Sequence, residues 1–522
     1  MINKMTRKKL PIGIQTFCEI REDDCYYVDK TAYALKLAVE GKYYFLSRPR
    51  RFGKSLFLDT LAELFAGNEA LFQGLYCHDK WDWAKQYPVI RISFAEGVLQ
   101  SRADLDEKIG EVLDFNRKQL GIDPQQPSIS GNFSEMIRLA HQKYGQRAVV
   151  LIDEYDKPIL DNITNPDIAR QMCDGLRNLY SVIKGQDAHI RFAFLTGVSK
   201  FSKVSLFSGL NNLQDITVDK RYSAVCGYTE ADLDRVFAPE LQGLERGKIR
   251  DWYNGYNWLG EAVYNPFDLL LLFDTREFKP YWFETGTPTF LVDLLMQRGF
   301  FTPDFEKLLA TETLLSTFDV DHIASEALLF QTGYLTIVSS RNLPGMTQVT
   351  LGYPNLEVKA SLNGVLLQAL TVDPVRYGRQ AGQLYDLLLV NDFEGLQNLF
   401  TAFYTGIPHD WYRNNSIAQY EGYYASVFYS YFAALGLTVT LEDATNHGRI
   451  DMTVHFNGQI YLFEFKVVEL VPEGKAFKQL KDKNYAEKYK AECVPIHLIG
   501  VEFSKESRSV VGFDFEALGA GV

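Results

Sequence analysis

Lys54 and Ser55, placed directly behind Gly53, are residue types that fit a triphosphate and its metal ion. They end the run Arg48-Pro49-Arg50-Arg51-Phe52-Gly53-Lys54-Ser55, which follows the apolar stretch Tyr43 to Leu46. Beyond it Leu56, Phe57, Leu61, Leu64 and Phe65 recur at three- and four-residue spacing, which predicts a helix. Strand, glycine-containing turn and helix form the context of a phosphate-binding loop. There the backbone N–H groups of Arg51, Phe52 and Gly53, and of Lys54, Ser55 and Leu56, face the phosphates, and the helix dipole favours their charge. Lys54 then reaches the β and γ oxygens, and Ser55 offers its hydroxyl to Mg²⁺. Arg48 stands where the general pattern has its first glycine, and the loop's three arginines add a charge grip. The competing reading is a helix start behind an exposed basic turn.

The apolar run Ala148 to Ile152 ends in Asp153 and Glu154, as a buried parallel strand with ligands at its carboxyl end does. Asp153 is the natural partner of Mg²⁺, and Glu154 the base that orients the attacking water. A further apolar strand, expected from His189 to Thr196, runs into Gly197-Val198-Ser199-Lys200, where Thr196 and Ser199 are candidates to sense the γ-phosphate. Arg177 and Arg221 read as trans-acting arginine fingers or, more simply, as solvated arginines.

Asp451, Glu464 and Lys466 make a second group. The Asn457-Gly458 turn between two alternating apolar runs predicts a hairpin. Period-two alternation puts Glu464 and Lys466 on one face, with Phe463, Phe465 and Val467 on the other, while Asp451 comes from the partner strand. Two carboxylates meeting there are costly unless compensated. A divalent cation held by Asp451 and Glu464 offsets that cost and would meet a scissile phosphate, with Lys466 as a charge or base. Oxygen ligands suit Mg²⁺ or Mn²⁺. Glu421, on a helix expected from Ile417 to Leu435, is a further candidate ligand. Gln479, Tyr485 and a lysine series (Lys475, Lys478, Lys481, Lys483, Lys488, Lys490) form a local basic strip suited to a nucleic-acid backbone. The competing reading is an edge hairpin with a surface Glu/Lys pair and a solvated helix.

These residues must be positioned by several domains, and 522 residues with 46% hydrophobic content allow them. No long uninterrupted apolar stretch reads as a membrane span, and the basic start of the chain lacks the apolar run of a secretory signal. Six scattered cysteines without a CxxC pair read as reduced cytosolic thiols, and the eight histidines do not cluster. The net charge of -12 opposes bulk attraction to nucleic acid while leaving room for a local groove. Alternating strands and helices predict a nucleotide-binding domain over 1–225. The alternation is lost over 226–375, where Asn265 and Pro266 start a helix and a hairpin suggests a helical lid with a small winged unit. A helical connector over 376–415 leads to an α/β domain over 416–522. The strip Leu10 to Thr31 packs under the phosphate loop or touches the base.

The motifs LPIGIQTF, YVDKT, FLSRPRRFGKSL, VLIDEYD, LTGVSKFS, SGLNNLQDIT, YNGY, WFETGTPTFL, QTGYL, GYPN, GRIDM and FEFK give the chain a resemblance to a bacterial family. Over nearly its whole length it is similar to AAA-ATPase-like proteins fused to a PD-(D/E)xK nuclease domain. The resemblance implies an α/β fold: a P-loop NTPase parallel sheet, a helical and winged middle region, and a nuclease-like C-terminal domain. It assigns Lys54, Ser55, Asp153 and Glu154 to ATP and Mg²⁺, and Asp451, Glu464 and Lys466 to the nuclease core with Gln479 auxiliary. It also makes Arg48 part of the family's own loop. The expectation is a cytoplasmic ATPase whose nucleotide state gates a Mg²⁺-dependent nuclease acting on nucleic acid, DNA above all, with a homo-oligomer and defence against foreign DNA as further expectations. The alternative is a nucleotide-switched scaffold that holds nucleic acid or protein without cutting.

Overall fold

The computed structural model describes residues 7–200, 212–286, 291–292, 294–295, 302–315, 324–370, 374–405, 421–445 and 448–519. Contacts divide the chain into two units, 1–286 with 308–355, and 287–307 with 356–522.

In the first unit the apolar runs become β1 (Tyr43–Ser47), β2 (Val89–Ser93), β3 (Ala148–Asp153) and β4 (Ile190–Gly197), joined by the short β5 (Gln214–Asp215). They form a parallel sheet in the order β2-β3-β4-β1-β5. Every residue of β1 and β3 is buried, which is why both read as continuous apolar runs. The order sets the tip of β4 between those of β1 and β3, so Ser47, Gly197 and Asp153 lie at one edge. The helix after β1 spans Lys54–Ala66 and buries Phe57, Leu61, Leu64 and Phe65 as their spacing requires.

Two helices escaped the sequence reading. Helix Ile129–Tyr144 starts directly behind a Pro/Ser/Gln-rich stretch, where the Ser128 hydroxyl caps it by accepting from the Gly131 N–H. Helix Pro166–Gly185 is capped by Asn165. Farther on, Thr229 and Asp232 form a capping box, and Asn265 caps helix Pro266–Thr275 as its sequence implies. The hairpin expected of residues 331–338 with 348–352 is β7 (Thr336–Leu343) with β8 (Met346–Gly352), its first strand displaced along the chain because helix Ser325–Thr332 takes up the start of the expected run; β6 (Leu308–Thr311) adds to β8.

The second unit holds β9 (Thr438–Thr445), β10 (Gly448–Phe456), β11 (Gln459–Val468), β12 (Ile496–Ser504) and β13 (Val510–Leu518), ordered β13-β12-β11-β10-β9. Only β11 and β12 pair in parallel, with helix Lys475–Asp482 between them in the chain. Asn457 and Gly458 have φ of 49° and 70°, the left-handed pair that a two-residue hairpin turn requires. Phe463 and Phe465 enter a core with Phe428, Phe432 and Phe503. The opposite face packs Ile450, Leu462 and Leu498 against Leu480 and Tyr485.

Candidate functional site

Gly53, at φ 88°, turns the chain from β1 into helix Lys54–Ala66. The turn is the rim of a cavity of about 460 Å³ in the first unit. Arg51, Phe52, Gly53, Lys54, Ser55 and Leu56 all line it. Lys30, Arg50 and Lys157 add to its cationic wall, whose carboxylate is Glu154. Ile14, Tyr27 and Val28 from the N-terminal strip and Phe267 from the middle region give it an apolar side. Asp153, Thr196 and Ser199 do not line it.

Lys54 is buried, and its Nζ donates to the carbonyls of Arg48 (3.0 Å) and Pro49 (2.9 Å). Burial lowers its pKa, against the opposing charges of Asp153, Glu154 and Asp156. Asp153 accepts from the Glu154 N–H at 3.0 Å. Glu154 sits at φ 50°, a backbone region costly for a non-glycine residue and often found at functional sites. Burial raises its carboxyl above the ordinary range, with Lys54 pulling the other way.

Arg48 is no phosphate grip, which corrects the expectation for that residue. It is fully buried, donating to the carbonyls of Ser47 (2.8 Å), Thr217 (2.8 Å) and Tyr222 (3.0 Å), with its guanidinium 3.9 Å from the Trp258 ring centre. Burial brings its pKa down to about 10. Phe52 packs edge-on against Tyr256 and Trp258, the Trp282 indole donates to the Arg50 carbonyl at 3.0 Å, and Gly333 has Pro49 so close that a Cβ would meet it at 2.8 Å. The middle region, which showed no chemical constellation in the sequence, thus builds the back of the loop.

At the tip of β4 the Thr196 hydroxyl is buried without a hydrogen-bond partner. The Ser199 hydroxyl donates to Asp156 at 2.5 Å, and the Ser199 N–H donates to the same oxygen at 2.6 Å. Asp156, a buried acid that the sequence reading passed over although it follows Asp153 and Glu154, ties the end of β3 to this tip. Gly197 makes room for it, since a Cβ there would meet Asp156 at 2.2 Å. Residues 201–211, which include all but the last residue of the SGLNN segment, lie outside the described residues. Arg177 pairs with Asp174 and Arg221 with Asp219.

In the second unit the pairing of Met452 with Phe463 brings Asp451 beside Glu464. Asp451 accepts from the Phe465 N–H at 2.8 Å. Glu464 is 0% exposed: its Oε1 receives Lys466 Nζ (3.3 Å) and the Gln479 amide, while its Oε2 is buried without a hydrogen-bond partner. Burial, reinforced by the Asp451 charge and opposed by Lys466, pushes its pKa up to about 8. Tyr485 is buried and hydrogen-bonded to Gln479, and its hydroxyl crowds Gly448. Glu421 opens helix Glu421–Ala434, and Asn446 and His447 lie outside the described residues.

The unpaired Oε2 is what a cation would satisfy, so Asp451 and Glu464 fit an oxygen-bound divalent ion. Among the described residues no group of three or more His, Cys, Asp or Glu side chains surrounds such a point. The basic strip is less basic than its lysine count implies. Lys475, Lys481, Lys488 and Lys490 pair with Glu473, Glu516, Asp443 and Glu487, leaving Lys478 and Lys483 without an ion pair among the described residues. No described helix is long and apolar enough to cross a membrane.

Two family models match this chain. The family model described as "Predicted AAA-ATPase" matches residues 11–207, and that of the PD-(D/E)XK nuclease superfamily matches 419–513. A protein of Azotobacter chroococcum mcd 1, described as "Uncharacterized protein in vnfD 5'region", is 69% identical over 516 residues, covering 99% of this chain and 100% of that protein. No solved structure matches. The chain belongs to the AAA-ATPase-like family and carries a C-terminal domain of the PD-(D/E)XK nuclease superfamily.

Proposed function

We propose that this protein binds and hydrolyses ATP in its first unit and that its nucleotide state gates a Mg²⁺-dependent nuclease in its second, inside the cell and with DNA as substrate. The observation that carries the nuclease half is Glu464: a fully buried carboxylate with one orphan oxygen, beside Asp451 and Lys466. Burying such a group uncompensated costs several kcal/mol, about 1–3 for the unmade hydrogen bond alone.

Asp451 and Glu464 would hold the ion, which when bound supplies positive charge against the scissile phosphate. Gln479 holds Glu464 at Oε1 and leaves Oε2 for that ion. Lys466 keeps its amino group next to the carboxylate, where as an ammonium it would face the phosphate and as a neutral amine it would take a proton from water. In the nucleotide cavity Lys54 would exchange its two carbonyls for phosphate oxygens, Ser55 would hold Mg²⁺ with Asp153 acting from outside the lining, and Glu154 would orient water toward the γ-phosphate. Lys30 and Lys157 on the cavity wall are paired with Asp232 and Asp161, but Arg50, Arg51 and Lys54 against the carboxylate of Glu154 support an anionic occupant.

The test is cleavage of plasmid and linear DNA with Mg²⁺ or Mn²⁺, with and without ATP. Cleavage that depends on ATP and is lost in Asp451→Ala is expected. No cleavage under any condition, with Asp451→Ala indistinguishable from wild type, would leave the scaffold reading standing instead.

A further inference from the structure

Helix Lys475–Asp482 delivers Gln479 to Glu464, yet it has no side-chain cap of its own. Its first N–H groups are satisfied from a neighbouring strand. Glu502, on β12 and 1% exposed, accepts at one oxygen from Glu473 N (2.5 Å) and Gly474 N (3.0 Å) and at the other from Lys475 N (2.5 Å) and Ala476 N (3.3 Å). One carboxylate therefore closes four successive donors where the helix dipole is positive. A second, independent contact fixes the same turn. Gly500, paired with Glu464 across β11 and β12, lies so close beneath the helix that a Cβ would meet Phe477 N at 2.4 Å. The missing side chain lets the helix rest on the sheet next to Glu464, and the Glu502 carboxylate pins its start.

We propose that Glu502 is a positioning residue of the nuclease site, acting through the helix start to hold Gln479 on Glu464; the proposal rests on the nuclease reading above. Glu502 touches neither Glu464 nor the reacting atoms. It is also the cross-strand partner of Lys466, so the part of its effect that passes through the helix start is the part that disappears once Gln479 is gone, which separates it both from a direct action on Lys466 and from a general contribution to stability.

The experiment compares Glu502→Gln, Gln479→Ala and the double variant in Mg²⁺-dependent DNA cleavage, with hydrogen–deuterium exchange of 473–482 measured on the same full-length proteins. Loss of one charged cap partner should lower kcat about 10- to 100-fold, the usual range for groups that orient a metal-binding carboxylate. KM should stay within about twofold, exchange of 473–482 should speed up, and Glu502→Gln should add nothing to Gln479→Ala. Gly500→Ala, which displaces the same turn sterically, should reproduce the pattern and guards against a Glu502 variant that folds poorly. Wild-type kcat and exchange in Glu502→Gln, or a defect that adds in full to Gln479→Ala, overturns the proposal while leaving the nuclease intact. A wild-type protein inert with every metal overturns the nuclease reading and this role with it.

Discussion

A guanidinium that donates to three carbonyls and covers an indole face is a structural group, and Arg48 should behave as one under mutation. Arg48→Gly restores the glycine of the general loop pattern but strips three buried carbonyls of their donor. We expect it to weaken nucleotide binding at least about tenfold and to destabilise the first unit by about 2 kcal/mol or more. Titration with a fluorescent ATP analogue and thermal melts will show this, and tighter binding would refute it. Glu464 gives a pH signature in metal-free protein. Its pKa, about 8 when folded, lies above the ordinary carboxylate value. Far below that ordinary value both states bear the proton. Between it and about pH 8 the folded state alone holds the proton, so stability falls as pH rises through this window. Glu464→Gln should therefore melt higher than wild type at about pH 9 and equally at about pH 4, roughly 2–4 °C for each kcal/mol recovered. Equal melting at both pH values in the presence of chelator would contradict the burial argument.

Among the elements, the phosphate loop was legible because its signal is local: apolar run, Gly-Lys-Ser, then apolar spacing at three and four. The same holds for the Asn457-Gly458 hairpin and the alternation that separates Glu464 from Phe463 and Phe465. What stayed hidden is the wall behind the loop. Trp258, Trp282 and Gly333 reach Arg48, Arg50 and Pro49 from far along the chain, and contacts at such separation leave no periodicity. Glu502 stayed hidden for a related reason: an acid in a strand reads as an exposed residue until the helix it caps is placed. Helix Ile129–Tyr144, by contrast, was readable from Phe133, Met136, Ile137 and Ala140, and was obscured by the Pro/Ser/Gln run at its start. The wall gives a direct optical test. Since Trp282 bonds the Arg50 carbonyl, filling the loop with ATP should change indole emission, and Trp282→Phe should lose most of that change. An unaltered response in Trp282→Phe would detach this residue from the loop.

On the scale of the whole molecule, each unit carries its own site, so single substitutions should separate the two chemistries. Asp451→Ala is expected to keep ATP turnover while losing cleavage. Lys54→Ala should lose nucleotide affinity and, if nucleotide gates the nuclease, the ATP dependence of cleavage as well. Turnover and cleavage measured side by side decide this; a Lys54→Ala protein that still cuts in an ATP-dependent manner removes the gate. Arg48 and Trp258 have one more consequence, for ancestry. Each is shaped to the other, so a lineage that changes either alone is left with a buried guanidinium lacking its ring or a ring lacking its cation. Related chains should therefore keep or replace the two together, and a search template insisting on an opening glycine will pass over those that keep the arginine.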